Sequence, residues 1–216
     1  MNEMMLIAKK KDTMLIDVSF EDSEVGDIGF ADKAGRIWTR AGASAGASVQ
    51  VEPITGKKMM KFDGKSYFRT PLTPDLYLNS TDWQMTIEFV PVTKNYTKLL
   101  STGDYPSPGG MALSLNQYAA TYIQAFLEQG GTNFTRLMAN LTNTLVPEKV
   151  VITRVRGKAW QMAIFRNDVQ VASASVGAYS IGDGSTSAGF LVGTTAGSPG
   201  AQLYDGYWKS LKLERL

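Results

Sequence analysis

Residues 83–90 read Trp83-Gln84-Met85-Thr86-Ile87-Glu88-Phe89-Val90. In an extended chain Trp83, Met85, Ile87 and Phe89 fall on one side, and Gln84, Thr86 and Glu88 on the other. A side-chain period of two is what a strand with one face on a core and one face in water requires. Just upstream, Phe62-Asp63-Gly64-Lys65-Ser66-Tyr67-Phe68 reads as a strand end, a glycine-bearing turn and a new strand. Together the two segments predict an antiparallel β protein.

The same signals recur along the chain. Met14, Ile16, Val18 and Phe20 alternate with polar or outward positions, and the acidic stretch 21–27 reads as a loop. The Gly/Ala/Ser-rich stretch 41–48 has little to bury and predicts a flexible connection. Short strands are predicted at 49–51, 58–62, 98–101 and 111–115. A hairpin is predicted over 121–128 and 134–141, with Gly130-Gly131-Thr132-Asn133 between the arms. Segments 150–156 and 159–165 are separated by Gly157-Lys158, which predicts a two-residue hairpin turn. Asn167-Asp168 fits another tight turn, since both residue types tolerate positive φ. Strands at 169–176, 189–192 and 207–213 complete the set. No amphipathic helix of useful length is present; 76–80 and 145–149 read at most as single turns. Many short strands with Gly/Pro turns predict an all-β, two-sheet antiparallel β-sandwich, because one-sided sheets need each other.

Composition limits the chemistry. The 216 residues suit one sizeable all-β domain, and the formal charge of +2 makes no electrostatic case for nucleic acid. There is no cysteine, hence no disulfide, thiolate catalysis or zinc–thiolate site. There is no histidine either, so Ser-His-Asp and histidine–metal mechanisms are excluded. The short apolar patch Met4 to Ala8 is followed, not preceded, by Lys9-Lys10-Lys11, the reverse of a secretory signal. No run reaches membrane-spanning length, so membrane insertion is not expected. The organisation expected is an N-terminal arm, 1–12, and one domain, 13–216.

The order of motifs supports a family resemblance. Leu15-Ile16-Asp17-Val18-Ser19-Phe20-Glu21-Asp22 is followed by Asp32-Lys33-Ala34-Gly35, by Phe62 to Tyr67, by Asp82 to Val90 and by Leu99 to Asp104. Later come Val151-Ile152-Thr153-Arg154 with Trp160 to Asp168, then Phe190-Leu191-Val192-Gly193, then Tyr204 to Lys209. In this order the chain resembles the concanavalin A-like, laminin-G-like jelly rolls over residues 13–216. The resemblance implies a jelly-roll sandwich. It does not choose a function, since lectins, carbohydrate-binding modules, glycoside hydrolases and virion surface proteins share the fold.

Function must therefore be sought in individual residues. Hydrolases of this superfamily carry paired carboxylates on one strand, and here Glu88 has Thr86 and Val90 as its same-strand neighbours. No catalytic residues are assigned and no enzyme is expected. Glycan binding would use aromatics near loops, and Tyr105, Tyr118, Tyr122, Tyr179 and Tyr204 are the candidates. Trp83 and Trp160 read as core, whereas Trp38 and Trp208 are open to either reading. Calcium is the one cofactor considered, through Asp104, Asp183 and Asp205 in glycine-rich loops; turn aspartates bonding local N–H groups are the alternative. Lys9, Lys10 and Lys11 are candidates for an arm that docks on a partner chain.

The resulting expectation is a non-catalytic surface-recognition or assembly module. Its main form is a bacteriophage structural protein (capsid decoration or tail-associated), made in the host cytoplasm and extracellular after lysis. Its partners would be other virion proteins or its own copies as a homo-oligomer, with a cell-surface glycan as a further ligand and no nucleic acid. The alternative is a carbohydrate-binding module or lectin of a secreted or cell-surface bacterial protein.

Overall fold

A computed structural model describes residues 13–42, 46–79, 81–92, 95–103, 110–115, 122–130, 133–140, 145–184, 188–194 and 199–216. Among them run β1 (Met14–Ser19), β2 (Phe30–Ala31), β3 (Ile37–Gly42), β4 (Ser48–Val51), β5 (Lys58–Asp63) and β6 (Ser66–Thr70). A single 3-10 turn, Pro74–Leu76, leads into β7 (Trp83–Pro91), β8 (Thr97–Ser101), β9 (Gly110–Leu115), β10 (Tyr122–Gly130) and β11 (Asn133–Asn140). The chain closes with β12 (Glu148–Arg154), β13 (Trp160–Arg166), β14 (Val169–Val176), β15 (Phe190–Val192) and β16 (Asp205–Arg215).

These strands make two eight-stranded antiparallel sheets. The first has the order β14-β13-β12-β7-β16-β5-β4, with β1 lying beside the far half of β16. The second has the order β11-β10-β9-β8-β15-β6-β3-β2. The predicted all-β sandwich is what forms. Its reason is visible in β7, where Trp83, Met85, Ile87 and Phe89 are buried and Gln84, Thr86 and Glu88 are not. The same alternation holds on β12 and β13, so one apolar face of the first sheet meets the inner face of the second.

All four tryptophans lie in the core, each with its indole N–H satisfied. Trp83 Nε1 donates to Leu78 O (2.7 Å), Trp160 Nε1 to Tyr179 O (2.8 Å), Trp208 Nε1 to Ser210 O (3.0 Å) and Trp38 Nε1 to Asp32 Oδ2 (3.2 Å). Trp38 and Trp208, open to two readings in sequence, are thus core residues.

The structure corrects several expectations. Ala41 and Gly42 end β3 and Ser48 opens β4, while Ala47 is fully buried. A Cβ on Gly46 would lie 2.9 Å from Asp63 Cγ. The described part of 41–48 is therefore packed backbone, not a flexible connection. The turn between β12 and β13 spans five residues, not two, with Gly157 at φ 72° and Lys158 N donating to Val155 O (3.0 Å). Asn167 and Asp168 do form a tight turn, at φ 48° and 61°. The acidic loop protects a sheet edge. Gly26 N donates to Val49 O (2.9 Å) and Val49 N donates to Asp27 O (2.8 Å), which covers β4.

The two sheets differ in what covers their outer faces. On the second sheet Lys98, Ser114, Gln124 and Leu191 are all buried. On the first, the alternate residues of β7, β12 and β13 reach solvent. Among the described residues the second sheet is closed at its centre and open toward its edges, at Ile37, Thr39, Arg69 and Met138, whereas the first is wet across β7, β12 and β13.

Gly206, on β16, has a packing role. A Cβ there would sit 2.6 Å from Val90 O and 2.5 Å from Tyr204 Cζ. Gly206→Ala should destabilise the domain by about 1–3 kcal/mol through overpacking, measured as a lower urea midpoint at unchanged m-value.

Candidate functional site

Cross-strand register arranges the wet face into rows. One row runs Glu214–Gln84–Thr153–Gln161–Ser175 over β16, β7, β12, β13 and β14. It is polar throughout: Gln84 Nε2 donates to Glu214 Oε1 (3.4 Å) and Thr153 Oγ1 to Gln84 Oε1 (3.5 Å). The next row, Lys212–Thr86–Val151–Ala163–Ser173, has short side chains at all but its first position. The third row is Ser210–Glu88–Lys149–Phe165–Gln170. On β7 and β13 the short Thr86 and Ala163 are flanked by longer side chains, Gln84 and Glu88 on the one and Gln161 and Phe165 on the other, which leaves a shallow trough between the first and third rows.

The third row opens into a cleft of 210 Å³ whose walls include Thr55, Lys57, Glu88, Lys149, Phe165, Asn167, Asp168 and Lys209. Two backbone irregularities build it. A bulge in β16 between Trp208 and Ser210 presents Lys209 beside Glu88, and the two form an ion pair. Ser210 Oγ donates to the other Glu88 oxygen (3.1 Å). The left-handed turn at Asn167-Asp168 returns Asp168 over β12, where it pairs with Lys149. The hydrogen bond from Lys149, and then its charge, hold the Asp168 carboxyl below the ordinary 3.8. Lys149 Nζ also stands 5.1 Å from the centre of the half-buried Phe165 ring.

Glu148 lies beneath this cleft. Its side chain has no exposure, and Oε1 accepts from Arg166 Nε at 2.6 Å. Burial raises its carboxyl above the ordinary 4.5, with Arg166 opposing. Glu88, Glu148 and Asp168 thus converge from three separate elements, a grouping that same-strand spacing around Glu88 did not reveal. Each is matched to its own cation.

The sequence candidates lie elsewhere. Tyr204 is fully buried, its hydroxyl donating to Val90 O (2.9 Å), and burial holds the phenol well above its ordinary value. It is a core residue, not a stacking platform, because the missing side chain at Gly206 makes room for its ring. Tyr179 is half-buried and packs against the core, and Tyr122 is half-buried at the start of β10. Asp183 accepts from Asn79 Nδ2 (2.7 Å), while Asp205 is ion-paired with Lys61. These two aspartates are not brought together, and no three acidic side chains gather as a metal site among the described residues. Asp104, Tyr105, Tyr118, Lys9, Lys10 and Lys11 lie outside the described residues.

Comparison with known proteins bears on the fold. No family model matches the sequence, and no curated protein does. Among solved structures, the botulinum neurotoxin DC binding domain in complex with rat synaptotagmin II superposes with a TM-score of 0.62 at 9% identity. The match covers 96% of this chain and 49% of that one. The same domain in complex with SialylT gives 0.62 at 10% identity, over 95% and 49% of the two chains. A botulinum neurotoxin type C structure, from work tying cell entry to two ganglioside molecules, gives 0.60 at 9% identity, over 97% and 50%. What they share with this chain is the fold. The chain spans about half the length of these structures.

Removing one member of the Glu148–Arg166 pair should strand a buried charge. Arg166→Met is expected to cost about 3–5 kcal/mol at neutral pH. A carboxyl titrating above 4.5 in the native state contributes most favourably below 4.5 and less as the pH rises through the native value. The penalty of the variant should therefore shrink on acidification, as Glu148 takes up its proton. Urea unfolding at a series of pH values checks both signs.

Proposed function

We propose that this protein is a non-catalytic recognition module that binds saccharides on the outer face of its first sheet. The observation that carries this reading is the trough. It joins a line of amide and hydroxyl groups, Gln84, Thr153, Gln161 and Ser175, to the aromatic ring of Phe165 and a cleft of mixed charge. Sugars ask for that combination: amides and carboxylates for hydroxyls, and an apolar ring face for a pyranose. The folds of the neurotoxin binding domains, solved in complex with rat synaptotagmin II and with SialylT, support a recognition role.

Hydrolysis is the weaker reading. A glycosidase needs one carboxyl free to donate a proton and a second free to attack or to activate water. Here Glu88 is held by Lys209 and Ser210, Asp168 by Lys149, and Glu148 is shielded behind Arg166. The expectation of a bacteriophage structural protein draws on composition and on the N-terminal stretch, which lies outside the described residues, and the wet face favours a ligand-binding role.

Glycan arrays followed by calorimetry test the proposal. Phe165→Ala and Gln161→Ala should each weaken the saccharide bound by the wild type about tenfold, the size of a lost ring stack or a hydrogen-bond pair. Neither should shift the melting temperature by more than a few degrees. Failure to bind any saccharide, affinity unchanged in both variants, or cleavage of the bound oligosaccharide would overturn it.

A further inference from the structure

The opposite end of β12 from the Glu148 cleft holds a second cavity, of 560 Å³, with a different character. Its walls include Arg154, Arg156, Lys158, Trp160, Tyr179 and Asn79, and no carboxylate is among the described residues that line it. Arg156 and Lys158 flank Gly157 in the turn after β12, and that glycine's positive φ holds both on the exposed rim. Arg154 is different: the residue is only 6% exposed.

A buried guanidinium is ordinarily matched by a carboxylate, because taking a cation out of water is costly. No carboxylate forms an ion pair with Arg154 among the described residues. Nη1 donates to the Thr81 carbonyl oxygen (2.5 Å), and the guanidinium carbon lies 5.8 Å from the centre of the Trp160 ring. Those are a dipole and a π face, not a counter-charge. Asp82 is the nearby acid, and its Oδ1 accepts the Arg156 backbone N–H (2.8 Å). Burial lowers the Arg154 guanidinium below its ordinary value; Asp82 opposes this and the charge of Arg156 adds to it. The domain therefore maintains a desolvated cation, with two more cations on the rim, facing a cavity large enough for a small ligand.

We infer that this cavity is an anion site, and that it takes the carboxylate or sulfate group of an acidic saccharide. The anion would supply a direct ion pair to Arg154, on which Asp82 acts only through space. The planar fork of arginine suits two oxygens of such a group, while Arg156 and Lys158 raise its local concentration and close the rim. That the anion is carried on a saccharide rests on the function proposed above; the anion site itself does not.

Calorimetric titration with inorganic sulfate, sulfated lactose and plain lactose tests the inference on the full chain. The wild type should bind sulfate, and sulfated lactose at least about tenfold more tightly than either sulfate or lactose alone, with affinity falling as sodium chloride is added. Arg156→Ala combined with Lys158→Ala changes only exposed residues and should weaken both anionic probes about tenfold or more at unchanged melting temperature. Arg154→Lys, which keeps the charge but loses the fork, should weaken sulfated lactose as well. Absence of sulfate binding, or affinities untouched in both variants, would overturn the anion site. Equal affinity for sulfate and sulfated lactose would overturn the saccharide assignment and leave the anion site standing. Phe165→Ala should leave sulfate binding here unchanged, so this site and the trough fail separately.

Discussion

The contact on which the rest depends is that of Trp208 with the aromatic residues across the sandwich. Trp208 stands on β16, the strand between β7 and β5 in the first sheet, and its ring lies 5.9 Å from Trp38 of the second sheet. Phe20, Phe30 and Phe62 close around it at 5.2, 5.8 and 6.1 Å. Such a cluster combines large apolar area with edge-on ring geometry. It also dictates orientation. Once Trp208, Leu211 and Leu213 of β16 face inward, register obliges Trp83, Met85 and Ile87 of β7 and then Ile152 and Val150 of β12 to do the same. The polar partners of each are thereby delivered to the outside in rows. The trough is thus a by-product of core packing: its floor and walls are whatever the inward residues leave over.

How much of this could be read from the chain varies by residue. The alternation at 83–90 placed β7 and both its faces, because a half-buried strand writes its geometry directly into the order of side chains. The turn at Asn167-Asp168 was equally legible, since few residue types accept positive φ. β3 was hidden by its surroundings: Ile37 to Gly42 runs into a Gly/Ala/Ser stretch with little hydrophobic pattern, and its strand character comes from pairing with β6. Tyr204 looked like a loop aromatic, and the signal that it turns inward lay two residues on, in Gly206. The grouping of Glu88, Glu148 and Asp168 was beyond reach for a plainer reason. Proximity across three strands depends on pairing order, which spacing along one strand does not contain.

The two ends of β12 show how one strand can serve two electrostatic environments. At its start, carboxylates and lysines cancel in pairs around a shallow cleft, leaving local dipoles and hydroxyl-matching groups. At its finish, Arg154 is drawn inside by Trp160 and the Thr81 carbonyl, with Asp82 near but no ion pair among the described residues. The seven residues from Glu148 to Arg154 span about 20 Å, about two and a half Debye lengths at physiological salt. The charges at the two ends are therefore largely independent of each other.

The burial of every tryptophan has a spectroscopic side. Indole emission reports the polarity around the ring, and here all four rings are enclosed in the folded domain and would meet water on unfolding. Fluorescence should therefore follow the collapse of the sandwich closely while staying silent to anything resting on the trough, which has no indole. Trp160 is the exception in position, with a guanidinium over its ring at the edge of a cavity. Of the four rings, Trp160 is therefore the one placed to report on the Arg154 end.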